Sequence, residues 1–422
     1  MRITQVCTSD ISGGAARSAY RLHTGLRRTG EESTLFVQTR ESNDPSVVGF
    51  SSSVDSIGRV RRGIRKWVIQ GNASKLAAKR PWNASYFSDD RSEHFAEALK
   101  QFPACDVVHL HWFSGFLDYR SFFSQVPKNL PIVWTLHDMN SFTGGCHFDN
   151  GCGRFTNCCG ACPQLGSQDN EDFSRAVWTR KREAYASVNR SKLHLVTPSH
   201  WLAREAQRSS LLAERPISVI PYGLDTEVFQ PRDRKASRNV LGIPADAKVI
   251  LFLADWVSEA RKGFSLLRQA LNEIPDKSNL TLLTMGRGPA DTQLDIPTIR
   301  LAYLGEERFL SMVYSAADIF VLPALQDNFP NTALESLACG VPVVAFNVGG
   351  VPEIIRHGIE GSLVPPGDVQ GLRSAICAML DEPEVLQRMK VNARQRILLE
   401  YKLEFQAQRY IELYRKALAS QC

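Results

Sequence analysis

The sequence predicts an α/β protein made of two doubly wound domains. Three observations carry that expectation. The chain has 422 residues, 43% of them hydrophobic, which is more than one ordinary core organises. Apolar runs of strand length alternate with helical stretches, the pattern of a parallel sheet covered on both faces. The alternation pauses at a polar stretch, Pro231 to Lys235, and then restarts.

Taken in order, Ile3 to Cys7 reads as the first strand. Gly13-Gly14-Ala15-Ala16 leads into a helix from Arg17 to Thr29, and Ser33 to Gln38 is the next strand. Asp106 to His111 and Ile132 to His137 follow, each ending in a polar residue, with His194 to Thr197 after them. Ile217 to Asp225 is a strand running into a turn. Val249 to Ala254 opens the second series, followed by Leu280 to Met285, Ile299 to Leu304, Ile319 to Leu322 and Val341 to Phe346. The expected division is a first domain over 1–215 with a cysteine-rich insertion at 144–165, a second over 216–400, and a closing helix over 401–422. That helix carries Phe405, Tyr410 and Tyr414 and can pack back on the first domain. Open α/β sheets bind ligands beyond the carboxyl ends of their strands, at the switch point of the strand order. The expected active site is therefore the cleft between two such domains.

No run of eighteen apolar residues offers a membrane span. The start, MRITQVCTSD, lacks the apolar run of a signal peptide, so a cytoplasmic location is expected. Net charge is +6, divided as +8 over 1–215 and −2 over 216–422. The excess is densest in RVRRGIRKW, Arg59 to Trp67, followed by Lys75, Lys79 and Arg80. Cations interleaved with Ile, Val and Trp suit a solvated helix face or an anionic membrane surface, so peripheral attachment at an inner membrane face stays open. No nucleic-acid motif accompanies the charge, and nucleic acid is not an expected partner.

Ten cysteines are present, five of them between Cys146 and Cys162. A cytoplasmic chain keeps thiols reduced, so the cluster reads as a metal site before it reads as disulfides. Cys159 and Cys162 form a C-x-x-C pair, and with Cys146 and Cys152 they offer four soft ligands for a tetrahedral structural zinc. Disulfides, free thiols and an iron–sulfur cluster stay open, and Cys158 can exchange with Cys159. The loop is polar and glycine-rich with little core of its own, so a metal would order it. A site with all four positions filled by protein is structural rather than catalytic.

The stretch QDNFPNTALESLACGVPVVAFNVGG, Gln326 to Gly350, holds two carboxylates, Asp327 and Glu335, around a turn and a helix start. A helix N-terminus suits phosphate, and a carboxylate one turn in suits sugar or ribose hydroxyls. The same acids can equally cap a turn and favour a helix N-terminus. The segment resembles the signature of the family 4 retaining glycosyltransferases, which have the GT-B fold of two Rossmann-like domains. There a Glu, seven intervening residues and a second Glu flank a Gly-Phe-Pro-Asn turn, followed by Ala-Cys-Gly-x-Pro-Val-Val. This chain matches at Phe329, Pro330, Asn331, Glu335, Cys339, Gly340, Pro342, Val343 and Val344. It departs with Asp327 for the first acid and Asn328 for the glycine.

The resemblance implies that Asp327 contacts the donor sugar and Glu335 the nucleotide ribose, with Asn328 to Thr332 along the donor. Arg261-Lys262-Gly263 resembles the family's Lys-Gly element, whose lysine pairs with the donor phosphates. The arginine many members carry earlier is missing from Ala254-Asp255-Trp256-Val257, so Arg261 replaces it or one positive charge is absent. Gly13 and Gly14 resemble the first glycine loop, near the donor diphosphate. Thr135 to Asp138 resembles the stretch whose histidine, here His137, approaches the transferred sugar. His109 and His111 share one strand face, and one of them can line the acceptor side. Gly286 lies in a turn similar to the one that passes the nucleotide, and Leu304 in the stretch near its base. Ser199 and Pro221 to Gly223 resemble interdomain elements, and Gly349 to Glu353 a structural turn.

The resemblance is closest to exopolysaccharide and colanic-acid-type members. It implies retaining transfer of a hexose from a UDP- or GDP-sugar to a hydroxyl of a saccharide acceptor, of the lipid-linked polysaccharide kind. No D-x-D triplet is present, so no catalytic metal is expected. A nucleotide-sugar epimerase of the same fold and a degenerate, partner-binding subunit remain as alternatives.

Overall fold

The structure is a computed structural model. It describes the chain except residues 53–54, 78–79, 82–83, 95–96, 289–293, 304 and 421–422, and side chains are described outside 72–77 as well. The chain divides into two compact units, Met1–Pro221 with Ala407–Cys422, and Tyr222–Gln406.

The first unit holds strands β1 (Arg2–Ser9), β2 (Glu32–Thr39), β3 (Val47–Gly49), β4 (Val107–Leu110), β5 (Ile132–Thr135), β6 (Leu193–Thr197) and β7 (Ile217–Val219). They form one sheet in the order β3-β2-β1-β4-β5-β6-β7. Every pairing is parallel. Strand β7 pairs with β6, so Ile217–Val219 belong to the first sheet. The order reverses between β1 and β4, which makes their carboxyl ends the switch point of this unit.

The second unit holds β8 (Lys248–Trp256), β9 (Leu280–Arg287), β10 (Thr298–Leu301), β11 (Ile319–Leu322), β12 (Val343–Phe346) and β13 (Gly361–Val364). Their order is β10-β9-β8-β11-β12-β13, again parallel throughout. The reversal here lies between β8 and β11.

Strand β8 shows why these sequences make sheets buried on both faces. Successive side chains of a strand point to opposite faces. Val249, Leu251 and Leu253 enter one buried cluster, whereas Ile250, Phe252 and Ala254 enter the other. Both faces are covered, so the strand is a continuous apolar run. Each of these Val, Leu, Ile and Phe side chains contributes about 1.5–3 kcal/mol on burial.

The last helix, Leu403–Ala419, brings Tyr410 and Tyr414 into the core of the first unit, both with no exposed surface. Tyr414 Oη lies 2.7 Å from His109 Nδ1, and Tyr410 Oη lies 2.7 Å from Thr135 Oγ1. Phe405, expected on the same stripe, is 40% exposed. It stands five positions before Tyr410, which is not a same-face spacing on a helix.

Candidate active site

In the second unit the switch point is where β8 and β11 release their chains, and the expected site residues meet there. After β8 the chain turns through a short 3-10 helix, Ala260–Lys262, to Gly263. Gly263 has φ of 72°, and a Cβ there would stand 1.8 Å from the Pro323 carbonyl oxygen at the end of β11. Only glycine permits that approach. It sets Lys262 beside the loop after β11.

Lys262 Nζ donates to Asp327 Oδ2 at 2.8 Å. Arg261 Nη1 stands 3.7 Å from the same oxygen, donates to the Gln326 carbonyl at 2.7 Å, and sends Nε to Glu259 at 2.8 Å. The three side chains of the cluster are 13–21% exposed. Burial pushes the Asp327 carboxyl upward. The charges of Lys262 and Arg261, with hydrogen bonds from Lys262 and the Asn328 amide, outweigh burial and hold it below the usual carboxylate value. Lys262 and Asp327, assigned separate tasks by resemblance, are thus one ion pair.

Beyond Asp327 the loop is anchored by Phe329. Its ring is 3% exposed and packs against Tyr222 at 5.7 Å and Tyr401 at 5.9 Å between centroids. Asn328 is buried as well. Pro330 then starts the helix Asn331–Ala338 without a side-chain cap, so no N-cap oxygen occupies the positive end of the helix dipole. Glu335 lies on this helix, 3% exposed, and accepts a hydrogen bond from Tyr314 Oη at 3.0 Å. Tyr314 was not singled out from sequence. It sits on a different helix, Glu307–Ala316, where a tyrosine reads as core.

Strand β9 ends in Gly286 and Arg287. A Cβ on Gly286 would stand 2.2 Å from the Ala254 carbonyl oxygen, so the turn presses on β8. Gly286, Arg287, Arg300, Leu301, Ala302 and Tyr303 line an open cavity of about 550 Å³. The Arg287 guanidinium lies over the Tyr303 ring, 4.8 Å from its centroid. Leu304 lies outside the described residues.

In the first unit, β1 ends at a loop held from beneath by Asp10. Its buried carboxylate accepts the backbone amides of Ile11, Glu41 and Ser42. Gly13, φ 87°, then opens the helix Gly14–Arg28. Nothing lies within 4 Å of the position a Gly13 Cβ would take, so this glycine serves its backbone angle and leaves open space above the helix start.

His137 follows β5, and a chain of hydrogen bonds fixes its proton. Gln5 Nε2 donates to Ser33 Oγ at 2.9 Å, which leaves Gln5 Oε1 to accept from His111 Nε2–H at 2.8 Å. Neutral His111 then accepts at Nδ1 from His137 Nε2–H at 3.1 Å. Burial lowers His137 to about 4, against a smaller opposing effect of Asp138, and pushes His109 and His111 well below their ordinary value. His137 is therefore a neutral polar group at neutral pH and not an acid. His111 is the strand histidine that reaches His137, while His109 bonds to Thr135 and Tyr414.

The expectation of a structural zinc is not supported. Cys146, Cys152, Cys159 and Cys162 do line one small cavity, with Phe87 and Phe155. Among the described residues, however, no group of three or more His, Cys, Asp or Glu is placed to hold a metal ion. The loop is ordered by means that its composition hid. Phe142, Phe148, Phe155 and Leu165 are buried beneath it. Lys181, fully buried, donates to the Asn140 and Thr143 carbonyls, and the Gly144 amide donates to Cys159 Sγ at 3.0 Å. A Cβ on Gly144 would stand 2.6 Å from that of Cys159.

The fold and this arrangement define a glycosyltransferase with two Rossmann-like domains, and comparison with known proteins gives the family. Residues 12–228 match the family described as Glycosyltransferase Family 4, and residues 247–382 match Glycosyl transferases group 1. The chain belongs to glycosyltransferase family 4. A D-inositol 3-phosphate glycosyltransferase from Thermobispora bispora is 31% identical over 76% of this chain and 73% of its own length. A second, from Catenulispora acidiphila, is 32% identical over 70% and 67%. These relatives do not confirm the expected closeness to exopolysaccharide and colanic-acid members.

Among solved structures, sucrose-phosphate synthase from Thermosynechococcus elongatus superposes with a TM-score of 0.68 at 18% identity, covering 99% of each chain. HepE of Anabaena, in complex with UDP-glucose, gives 0.64 at 17% identity, covering 99% of this chain and all of its own. At these identities the likeness concerns the fold.

Proposed function

We propose that this chain transfers a hexose from a nucleoside diphosphate sugar to a hydroxyl of a saccharide acceptor, with retention at the anomeric carbon. The observation that carries the reading is the meeting of Lys262, Arg261 and Asp327 at the switch point of the second unit, beside an uncapped helix start one turn from Glu335. Lys262 and Arg261 offset charge gathering on the departing diphosphate. The positive end of the Asn331–Ala338 helix adds to that. Glu335 accepts from ribose hydroxyls, and neutral His137 offers a polar contact to the sugar. The acceptor oxygen attacks from the face the phosphate leaves, its proton passes to a phosphate oxygen, and the bond to the diphosphate breaks.

The ion pair modifies one role. A lysine ammonium has three donors, so Lys262 can keep Asp327 and still meet a phosphate. Asp327 then acts by aiming Lys262 and becomes a positioning residue. The UDP-glucose bound by HepE supports a UDP-sugar as donor, with GDP-sugars as the other class. A lipid-linked saccharide remains the proposed acceptor. The inositol phosphate relatives favour a phosphorylated polyol as a second reading.

Calorimetric titration with UDP and GDP, with and without EDTA, tests the site. One nucleotide should bind, unaffected by EDTA. Lys262→Ala should weaken that binding on the order of tenfold or more and abolish transfer. Asp327→Asn should keep most of the nucleotide affinity and lose transfer rate. If neither nucleotide binds, the chain is a non-catalytic partner-binding subunit instead. Consumption of donor without any acceptor would indicate an epimerase.

A further inference from the structure

The helix Ser56–Ala77 is turned the wrong way round for a soluble protein. Over Ser56 to Gln70 its half-buried positions are Gly58, Arg62, Arg65 and Ile69, one face at helical spacing. Two arginines on that face fasten it to the first unit. Arg62 Nη1 donates to both carboxylate oxygens of Glu97, at 3.2 and 3.0 Å. Arg65 pairs with Asp118 and donates through Nε to the Ser92 carbonyl at 2.5 Å.

The apolar residues point outward. Ile57, Val60, Ile64, Trp67 and Val68 are 43–76% exposed, with Trp67 at the top of that range. Their spacing of three, four, three and one places them on a single stripe roughly opposite the anchored face. An amphipathic helix normally buries that stripe in its own core. Here the charges take the inward position and the stripe faces solvent.

The flanks say what would cover it. Arg59, Arg61 and Lys66 are exposed beside the stripe. The helix itself contains no Asp or Glu; Arg62, Arg65 and Lys66 pair with Glu97, Asp118 and Glu93 elsewhere in the unit, so the positive charge nearest the stripe is that of Arg59 and Arg61. A nucleic acid would use the cations but has no use for four outward aliphatic side chains and a tryptophan. Apolar residues flanked by cations, with an aromatic ring among them, match the acyl boundary and phosphate layer of an anionic bilayer. Arginine and lysine stems can lie along the apolar surface while their heads reach phosphate. No described helix is long and apolar enough to cross a membrane, so the contact is one of lying on the surface.

We infer that the Ile57–Val68 face docks the chain on an anionic phospholipid surface. The inference stands on the geometry of this helix and does not require the transfer reaction. A variant without transferase activity, such as Lys262→Ala, should bind membranes unchanged.

The test is cosedimentation of the full chain with vesicles of phosphatidylcholine alone and with about one third phosphatidylglycerol. Binding should be confined to the anionic vesicles and weaken with salt. Ile64→Glu with Trp67→Glu should lower it by at least about tenfold, and Arg59→Glu with Arg61→Glu by a similar factor. The substituted side chains are exposed, so thermal unfolding midpoints should match the parent. A second measurement needs no disruptive change: the emission spectrum of the parent minus that of Trp67→Phe reports Trp67 alone and should shift to the blue on anionic vesicles. Equal binding to both vesicle types, variants that bind like the parent, or an unshifted Trp67 would each overturn the inference. A dimer in solution that Ile64→Glu dissolves would assign the face to a second copy of the chain and overturn it too.

Discussion

Glu335 and Tyr314 show what one hydrogen bond does at the candidate site. The carboxylate is almost fully buried, and the Tyr314 hydroxyl donates to it at 3.0 Å. A hydrogen bond to a charged acceptor contributes more than one between neutral groups, about 1.5–3 kcal/mol. Tyr314→Phe should therefore cost stability of that order and weaken nucleotide binding, because Glu335 loses a group that orients it. Urea unfolding and UDP titration of the same variant check both halves, and a variant with parental affinity would remove Tyr314 from the site. The two acids were legible in the sequence because they stand in one stretch with a turn and a helix start. Tyr314 was not, since its link to Glu335 exists only after two helices pack. The same holds for Gln5 and His111, whose hold on His137 crosses from β1 to β4 and on to the end of β5.

At the scale of elements, the Ala260–Lys262 turn depends on Gly263. Its positive φ and its contact with Pro323 leave no room for a Cβ. Gly263→Ala should push the turn away from β11, separate Lys262 from Asp327 and cost more than about 1–2 kcal/mol. Loss of transfer together with a lowered unfolding midpoint is the expected result, and an unchanged midpoint would contradict this account of the turn. The central strands were readable because strands buried on both faces are continuous apolar runs. Strands β3 and β13 were not, for each offers only two adjacent apolar residues, Val47-Val48 and Leu363-Val364, at the edge of its sheet. The cysteine loop misled for a related reason. Its glycines and thiols suggested a segment without a core, whereas spaced aromatics, Phe142, Phe148 and Phe155, supply one. The Ser56–Ala77 helix was read as basic, but its inverted orientation follows from Glu97 and Asp118, which lie far along the chain.

Across the molecule, the buried histidines of the first unit set how stability responds to acid. His23 and His137 are lowered to about 4, and His109 and His111 well below the ordinary 6.5, each chiefly by burial. A histidine lowered on folding binds fewer protons in the folded state than in the unfolded one. Stability is then complete above the unfolded value near 6.5 and is lost as pH falls toward the folded value. Each group adds up to about 1.4 kcal/mol per pH unit within that window. Asp90 works the other way, since burial pushes it up to about 6, but it is one group against these histidines together with His94 and His194, which burial also lowers. The depressed Asp327 belongs to the second unit and acts only at lower pH, in the carboxylate range. Between about pH 7 and pH 5 the loss should therefore fall on the first unit. Tryptophan fluorescence is suited to see it, because six of the seven tryptophans precede residue 221 and only Trp256 lies in the second unit. The urea midpoint read by fluorescence should fall steadily over that range, and His137→Asn should make the fall shallower. A midpoint independent of pH would mean that the histidines are not held neutral by the fold, and the proton assignment along His137, His111 and Gln5 would fall with it.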